Sequence, residues 1–341
     1  MSKLTLISWL TAAALLVQPA ARAASGCDAD MRPGLNHITV ISGDQKQQLD
    51  LLMPGSFKPS KRVPLVIGLH PSSGSGATFD QDTGLSAAAN AKGFAVTFPD
   101  GGITQSGADG SSGHYWNIPG VPLIGGNAVP SGTRDDVRFI ADAIDHVVAH
   151  SCVDAHRIYV TGFSGGARMS SMVGCRLADR VAAIAPVAGL RAGRATGPGF
   201  TEPDAGDCNP SRPVSVFAIH GTDDPTNPFP GGEGLRWGYS VERALARWAS
   251  LDHCDAAPAV EALSAHITRV LYGACDTGKD VELYRIDARR DQGGGHVWPD
   301  GKRDLSTRAP APSGGSGNAP TDQRRVELDA TQNILQFFAR H

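Results

Sequence analysis

Apolar residues along this chain fall into two rhythms. VPLVIGLH (residues 63–70), FAVTFP (94–99), RIYVTGF (157–163), VAAIAPVAG (181–189) and PVSVFAIHG (213–221) are short, nearly continuous apolar runs. Such runs are expected of parallel strands covered on both faces. Between them, DDVRFIADAIDHVVAH (135–150) sets Val137, Ile140, Ile144 and Val147 on one helical stripe. Its acidic start suits the positive end of a helix dipole. YSVERALARWASL (239–251) and RRVELDATQNILQFFARH (324–341) repeat the helical rhythm, while HITRVLYG (266–273) and DVELYRID (280–287) add two later strands. The alternation predicts an α/β fold: an open, mostly parallel central sheet with helices on both faces. No internal repeat is present.

Two stretches fit neither rhythm. Residues 101–132 are rich in Gly and Pro and long enough to form a loop over a site. STRAPAPSGGSGNAP (306–320) reads as a mobile surface excursion. The first 23 residues have the form of a secretory signal: Lys3, an apolar stretch over residues 4–17, and Ala21-Arg22-Ala23 as a small-x-small cleavage site. The mature chain is expected to begin near Ala24 as one catalytic domain over residues 24–341, secreted or periplasmic. After that point no apolar stretch approaches the roughly 20 residues that span a bilayer. With 31 basic and 34 acidic residues and a net charge of -3, the chain has no long basic run. Nucleic acid and anionic membranes are therefore not expected as partners. At 341 residues the chain can bury one large core.

The six cysteines, Cys27, Cys152, Cys175, Cys208, Cys254 and Cys275, suit disulfides in an oxidising compartment. Cys254 and Cys275 flank one short segment and form the best pair; closing that loop is worth about 3 kcal/mol in the chain-entropy model. No C-x-x-C occurs, and no metal ligand set or cofactor is assigned.

The candidate chemistry centres on YVTGFSGGARMS (159–170). Only Ser164 among the serines has Gly at both -2 and +2, and it stands between a strand and a helical segment. A serine at such a corner has strained backbone geometry, so its neighbours must lack side chains that would collide. The corner holds the hydroxyl above the sheet. That hydroxyl needs a base, and the base an orienting acid, in the chain order Ser, Asp or Glu, His. FAIHGTDDPTNP ends a predicted strand with Asp223 and Asp224, which pattern alone does not separate. DQGGGHVWPD places His296 in a loop after the strand at 280–287. Both loops follow strand C-termini, where open α/β sheets hold their sites. His70 and His220 also end strands, but the first comes too early and the second stands beside the acid. For the oxyanion, one donor is expected from the N–H of Gly165, the other from LHPSSGSGATF. Pro71 has no N–H, so Ser72 is the first candidate, with Ser73 next.

Taken together, DDVRFI, RIYVTGFSGGARMS, APVAG, HGTDDPTNP, GGGHVWPD and LDATQNILQFFARH resemble the secreted polyhydroxybutyrate depolymerase/feruloyl esterase family of α/β-hydrolase serine esterases. The likeness runs from about Asp50 to the C-terminus. The resemblance implies Ser164 as nucleophile, His296 as base and Asp224, just before Pro225, as acid. It also implies Trp116, in Trp116-Asn117, and Trp298 as substrate-contacting residues, and a Cys254–Cys275 disulfide. Leu-His-Pro stands where the family has Leu-His-Gly.

The expected partner is an ester: a hydroxycinnamoyl group on plant cell-wall polysaccharide, released through an acyl-enzyme. Short polyhydroxybutyrate oligomers and acetylated xylan are the alternatives, ahead of a serine peptidase or a non-catalytic hydrolase-fold binding module.

Overall fold

The structure is a computed structural model that describes residues 31–106, 112–300 and 328–341. The signal segment, Cys27 and the 306–320 excursion lie outside the described residues.

The chain runs through β1 (Gly34–Ser42), β2 (Gln45–Met53), β3 (Val63–Leu69), α1 (Gly76–Thr83), α2 (Leu85–Ala91) and β4 (Ala95–Thr97). A small hairpin, β5 (Ile103–Ser106) and β6 (Ser112–Tyr115), precedes α3 (Asp136–His150), β7 (Val153–Phe163), α4 (Gly165–Arg176) and β8 (Ala183–Val187). A two-residue pair, β9 (Ala195–Thr196) and β10 (Glu202–Pro203), leads to β11 (Ser215–Gly221), α5 (Gly234–Trp237) and α6 (Val241–Leu251). The chain closes with β12 (Ala259–Ala262), β13 (Ile267–Tyr272), β14 (Val281–Ile286) and α7 (Ala330–Phe338).

Ten strands form one sheet in the order β1-β2-β4-β3-β7-β8-β11-β14-β13-β12. The central pairs from β4 to β14 are parallel; the outer pairs are antiparallel. In β7, Ile158 and Val160 face one apolar layer while Tyr159 faces the other. In β11, Val216 and Ala218 oppose Phe217 and Ile219 in the same way. Successive side chains point to opposite faces, so a strand buried twice has to be apolar throughout. The first layer holds Phe139 of α3, Met172 of α4 and Trp248 of α6; the second holds Phe79 of α1, Leu85 of α2 and Phe338 of α7.

All eleven residues Gly165–Cys175 of α4 are buried, which explains why this helix carries no polar stripe. The predicted strands and helices occur within a few residues of their sequence bounds, except that α7 starts at Ala330, inside the stretch expected from residue 324, whose first four residues lie outside the described residues. The antiparallel hairpin β1–β2 and helices α1 and α2 had no assignment from sequence. In β1 buried and exposed positions alternate, as for an edge strand with one face in solvent, and Leu35 and Ile41 are left exposed. The loop expected over residues 101–132 contains the β5–β6 hairpin. No described helix is long and apolar enough to cross a membrane.

Candidate active site

Ser164 sits between β7 and α4 with φ 56° and ψ −112°, a conformation that costs about 1–3 kcal/mol for a non-glycine residue. The surroundings enforce it. A Cβ on Gly166 would lie 2.0 Å from the Leu69 carbonyl oxygen, and one on Gly162 would lie 2.5 Å from the Gly166 oxygen. The two glycines let α4 start directly against the end of β3. The Ser164 N–H donates to the Val187 carbonyl of β8 at 3.0 Å, which seats the corner between two central strands.

Asp224 and His296 meet across the C-terminal ends of β11 and β14. The imidazole Nδ1 lies 2.8 Å from Asp224 Oδ2, and the ring packs on Phe163, the residue before Ser164, with centroids 4.8 Å apart. The His296–Asp224 pair thus rests on a direct hydrogen bond, and the approach of His296 to the Ser164 corner on the ring contact with Phe163, with no hydrogen bond from Ser164 to His296 among the described residues. Asp224 Oδ1 accepts from the N–H groups of Thr226 and Asn227, both at 2.8 Å. Burial alone would raise the Asp224 pKa, but hydrogen bonds from His220, His296 and Asn227 outweigh it and hold the carboxyl far below its usual range.

Asp223 has a different task. It accepts from the Arg290 backbone N–H at 2.8 Å and binds the guanidinium at 3.2 Å. Its own N–H donates to Gly294 O at 2.9 Å. One carboxylate engages the imidazole; its neighbour clamps the imidazole's loop. Pattern alone could not separate them because the difference lies in which chain segment each one faces.

The oxyanion side is built around His70. This buried ring takes the Gly101 N–H on Nε2 at 2.9 Å and donates from Nδ1 to Pro71 O at 2.8 Å. Burial pushes its pKa down to about 4, so it is a neutral structural ring with both nitrogens engaged. Trp116 stacks on it at 4.7 Å and donates its indole N–H to His70 O at 2.8 Å. Ser73 donates its N–H to His114 O at 2.9 Å, which removes it as an oxyanion donor and favours Ser72. The Ser72 nitrogen stands 3.0 Å from where a Cβ on Gly165 would sit, so the two loops that carry the expected donors pack directly against each other. The cleft there is lined by Ser72, Gly165, Tyr115, Trp116, Leu123 and Arg236, among others.

Trp298 is placed differently from Trp116. Its indole N–H donates to Thr331 Oγ1 at 3.1 Å, and its ring meets Phe79 edge-on at 5.3 Å. It anchors the His296 loop to α7 and α1. Cys254 and Cys275 are bonded to each other, and so are Cys175 and Cys208.

Three supporting residues escaped the sequence reading. Asn227 donates its N–H to Asp224, accepts from Arg168 at 2.8 Å on its side chain, and accepts from His220 at 2.8 Å on its carbonyl. The Asp-Pro-Thr-Asn spacing is an Asx-type turn and could have signalled the first of these. Asp136 takes the N–H groups of Gly102 and Asn117 at 3.0 and 2.8 Å and the Arg134 Nε–H at 2.8 Å. It therefore ties Gly102 and Asn117 to the start of α3. Arg168, one turn beyond Ser164 and 3% exposed, was legible only as a charge in an otherwise small and apolar helix.

A mostly parallel sheet with a strained serine corner after β7, an acid after β11 and a histidine after β14 defines the α/β-hydrolase fold. Residues 50–202 match the family model for esterase PHB depolymerase, and this match supports the polyhydroxybutyrate depolymerase and feruloyl esterase family. It is similar to feruloyl esterase B of Piromyces equi, with 32% identity over 256 residues, covering 73% of this chain and 42% of that protein. A putative esterase, NocK, of Nocardia uniformis is 26% identical over 281 residues, 77% of this chain and 73% of that one. Among solved structures, an acetyl xylan esterase from Aspergillus awamori shares the fold with a TM-score of 0.52 at 17% identity, covering 77% of this chain and 94% of that one. The chain thus spans less than half the length of the Piromyces enzyme.

Proposed function

We propose that this protein is an exported serine carboxylic-ester hydrolase that releases hydroxycinnamic acids from plant cell-wall polysaccharide. The observation that carries the reading is the 2.8 Å bond between His296 Nδ1 and Asp224, made beside the Ser164 corner. With Nδ1 committed, Nε2 is the basic nitrogen. It takes the proton of Ser164 Oγ as the oxygen attacks the ester carbonyl, and the Gly165 and Ser72 N–H groups bind the oxyanion. Collapse breaks the bond to the alcohol, which leaves with the proton from His296. Water, deprotonated by the same nitrogen, then cleaves the acyl-enzyme and Ser164 recovers its proton.

Apolar and aromatic side chains beside Ser72 and Gly165, among them Tyr115, Trp116, Ile118, Pro122 and Leu123, support an aromatic acyl group. In this reading the face of the cleft at Trp116 contacts substrate, while Trp298 acts by holding the His296 loop. The disulfides fit an oxidising compartment, and the signal-like first 23 residues fit export of a single domain over residues 24–341. The second reading keeps the chemistry and exchanges the substrate for a hydroxybutyrate oligomer or acetylated xylan, supported by the family match over residues 50–202.

Methyl ferulate, hydroxybutyrate trimer, acetylated xylan and a peptide anilide, assayed side by side, separate the substrates. Labelling by a fluorophosphonate, lost in Ser164→Ala, tests the nucleophile. Folded protein that takes no label would be a binding module instead.

A further inference from the structure

The carboxylate that holds His296 faces a second imidazole. His220, near the end of β11, is 1% exposed. Its Nε2 lies 2.8 Å from Asn227 O and 3.4 Å from Asp224 Oδ2. A carbonyl oxygen only accepts, so Nε2 carries the ring proton. That N–H is bonded to Asn227 and leaves its positive end beside the carboxylate. Asp224 Oδ2 thus meets two ring nitrogens, since His296 Nδ1 lies at 2.8 Å. His220 Nδ1 is buried with no partner among the described residues, and the ring stands edge-on to Phe229 with centroids 5.7 Å apart.

Packing of the turn does not explain this imidazole. Asp224 Oδ1 already takes the N–H groups of Thr226 and Asn227, and the Asn227 side chain is tied to Arg168 at 2.8 Å and to the Ala188 carbonyl. An apolar side chain would fill the space without burying an unsatisfied ring nitrogen. What only a donor supplies there is charge. Burial works to raise the Asp224 pKa; against it, His220 and then His296 lower it. A carboxylate that faces a second N–H holds a proton less readily. When His296 takes the proton of Ser164, the Nδ1 proton therefore stays on the ring, and Asp224 remains the negative partner of the imidazolium.

We propose that His220 is a positioning residue that sets the proton balance between Asp224 and His296. The inference rests on the esterase reading and adds a member to that site. Without the His220 N–H, Oδ2 keeps more of its negative charge for His296 and favours the imidazolium. The free enzyme then loses its base at a higher pH, so the acid limb of kcat/KM moves up. The other charged groups on the elements around the pair are Arg168 of α4, Arg285 of β14, which is paired with Asp287, and Asp223 with Arg290. None of them changes in the variants below.

The test compares the wild type with His220→Phe, which removes the donor, and His220→Gln, whose amide N–H reaches the same place. On 4-nitrophenyl acetate, His220→Phe should move the acid limb of kcat/KM up by about half a pH unit, the worth of one shared hydrogen bond. Its kcat on the pH plateau should fall by about threefold to tenfold with KM little changed. His220→Gln should return the limb to the wild-type position. Independently of turnover, the His296 Cε1–H resonance should titrate with the same offsets by NMR. A limb and a resonance that stay in place in folded His220→Phe, whatever its rate or Tm, reduce His220 to packing and overturn the proposal. An equal shift in His220→Gln also overturns it. Should His220→Phe fail to fold by near-UV circular dichroism, His220→Asn, one carbon shorter than the glutamine, makes the same comparison. A wild type with neither turnover nor fluorophosphonate labelling would instead sink the esterase reading, while the NMR titration would still judge the His220 contact.

Discussion

Replacing Asp224 by Asn tests the most specific geometric claim. The substitution preserves shape: the amide oxygen can still accept from Thr226 and Asn227, which now bond Oδ1 at 2.8 Å. That choice turns the amide N–H₂ towards His296 Nδ1, which must then act as acceptor. Its proton moves to Nε2, the nitrogen that has to receive the serine proton. Two losses combine. The attraction between a carboxylate and a developing imidazolium about 4 Å apart is worth about 4 kcal/mol at an effective dielectric of about 20, or roughly 10³ in rate. The wrong tautomer brings the total to about 10⁴, the size seen when other triads lose this charge. Initial rates on 4-nitrophenyl acetate and the rate of fluorophosphonate labelling at pH 7 measure the effect, with near-UV circular dichroism as the control for folding. Asp223→Asn is the matched control, with kcat expected within a few-fold of wild type because that carboxylate only clamps Arg290. Asp224→Asn retaining more than about a tenth of the wild-type kcat, or Asp223→Asn losing as much, would refute the assignment. The charge also has a stability signature. Its folded pKa is depressed, so its contribution is present above the unfolded value near 4 and is lost as pH falls below it. Acid unfolding of Asp224→Asn should therefore be less steep than that of the wild type.

Three further outcomes follow from packing and burial. Gly166→Ala would press a Cβ to 2.0 Å from the Leu69 oxygen. It should cost more than about 3 kcal/mol in urea unfolding, because backbone atoms on both sides have to move. The Asp252 carboxyl is buried and, among the described residues, accepts only from Val214 N–H at 3.1 Å, which leaves Oδ2 unpaired; burial raises its pKa to about 7. The native state therefore keeps a proton that the unfolded chain releases near pH 4, so stability falls as pH rises from about 4 to 7. Asp252→Asn should stabilise by about 1–3 kcal/mol at pH 8 and change little at pH 4, read from Tm across that range. Reducing the Cys254–Cys275 bridge, which closes a separation of 21 residues, by the double change Cys254→Ser and Cys275→Ser should cost about 3 kcal/mol in denaturant unfolding.

The amino-acid sequence by itself determined the layered fold and the chemical elements of the site. Continuous apolar runs such as those of β7 and β11 have no other stable placement than a sheet covered on both faces, and two glycines around Ser164 announce a corner without room for side chains. It also set the order serine, aspartate, histidine along the chain. It did not determine which neighbouring carboxylate meets the imidazole, which loop N–H remains free beside Gly165, or that Trp298 faces α7 and α1. Nor did it show that Arg168, 59 positions from Asn227, bonds to the turn that holds Asp224. These are matters of direction and of distance between segments remote in the chain. Local periodicity records which face of an element is buried, whereas only the assembled sheet brings the loops after β3, β7, β11 and β14 to one edge and decides which donors there are already used.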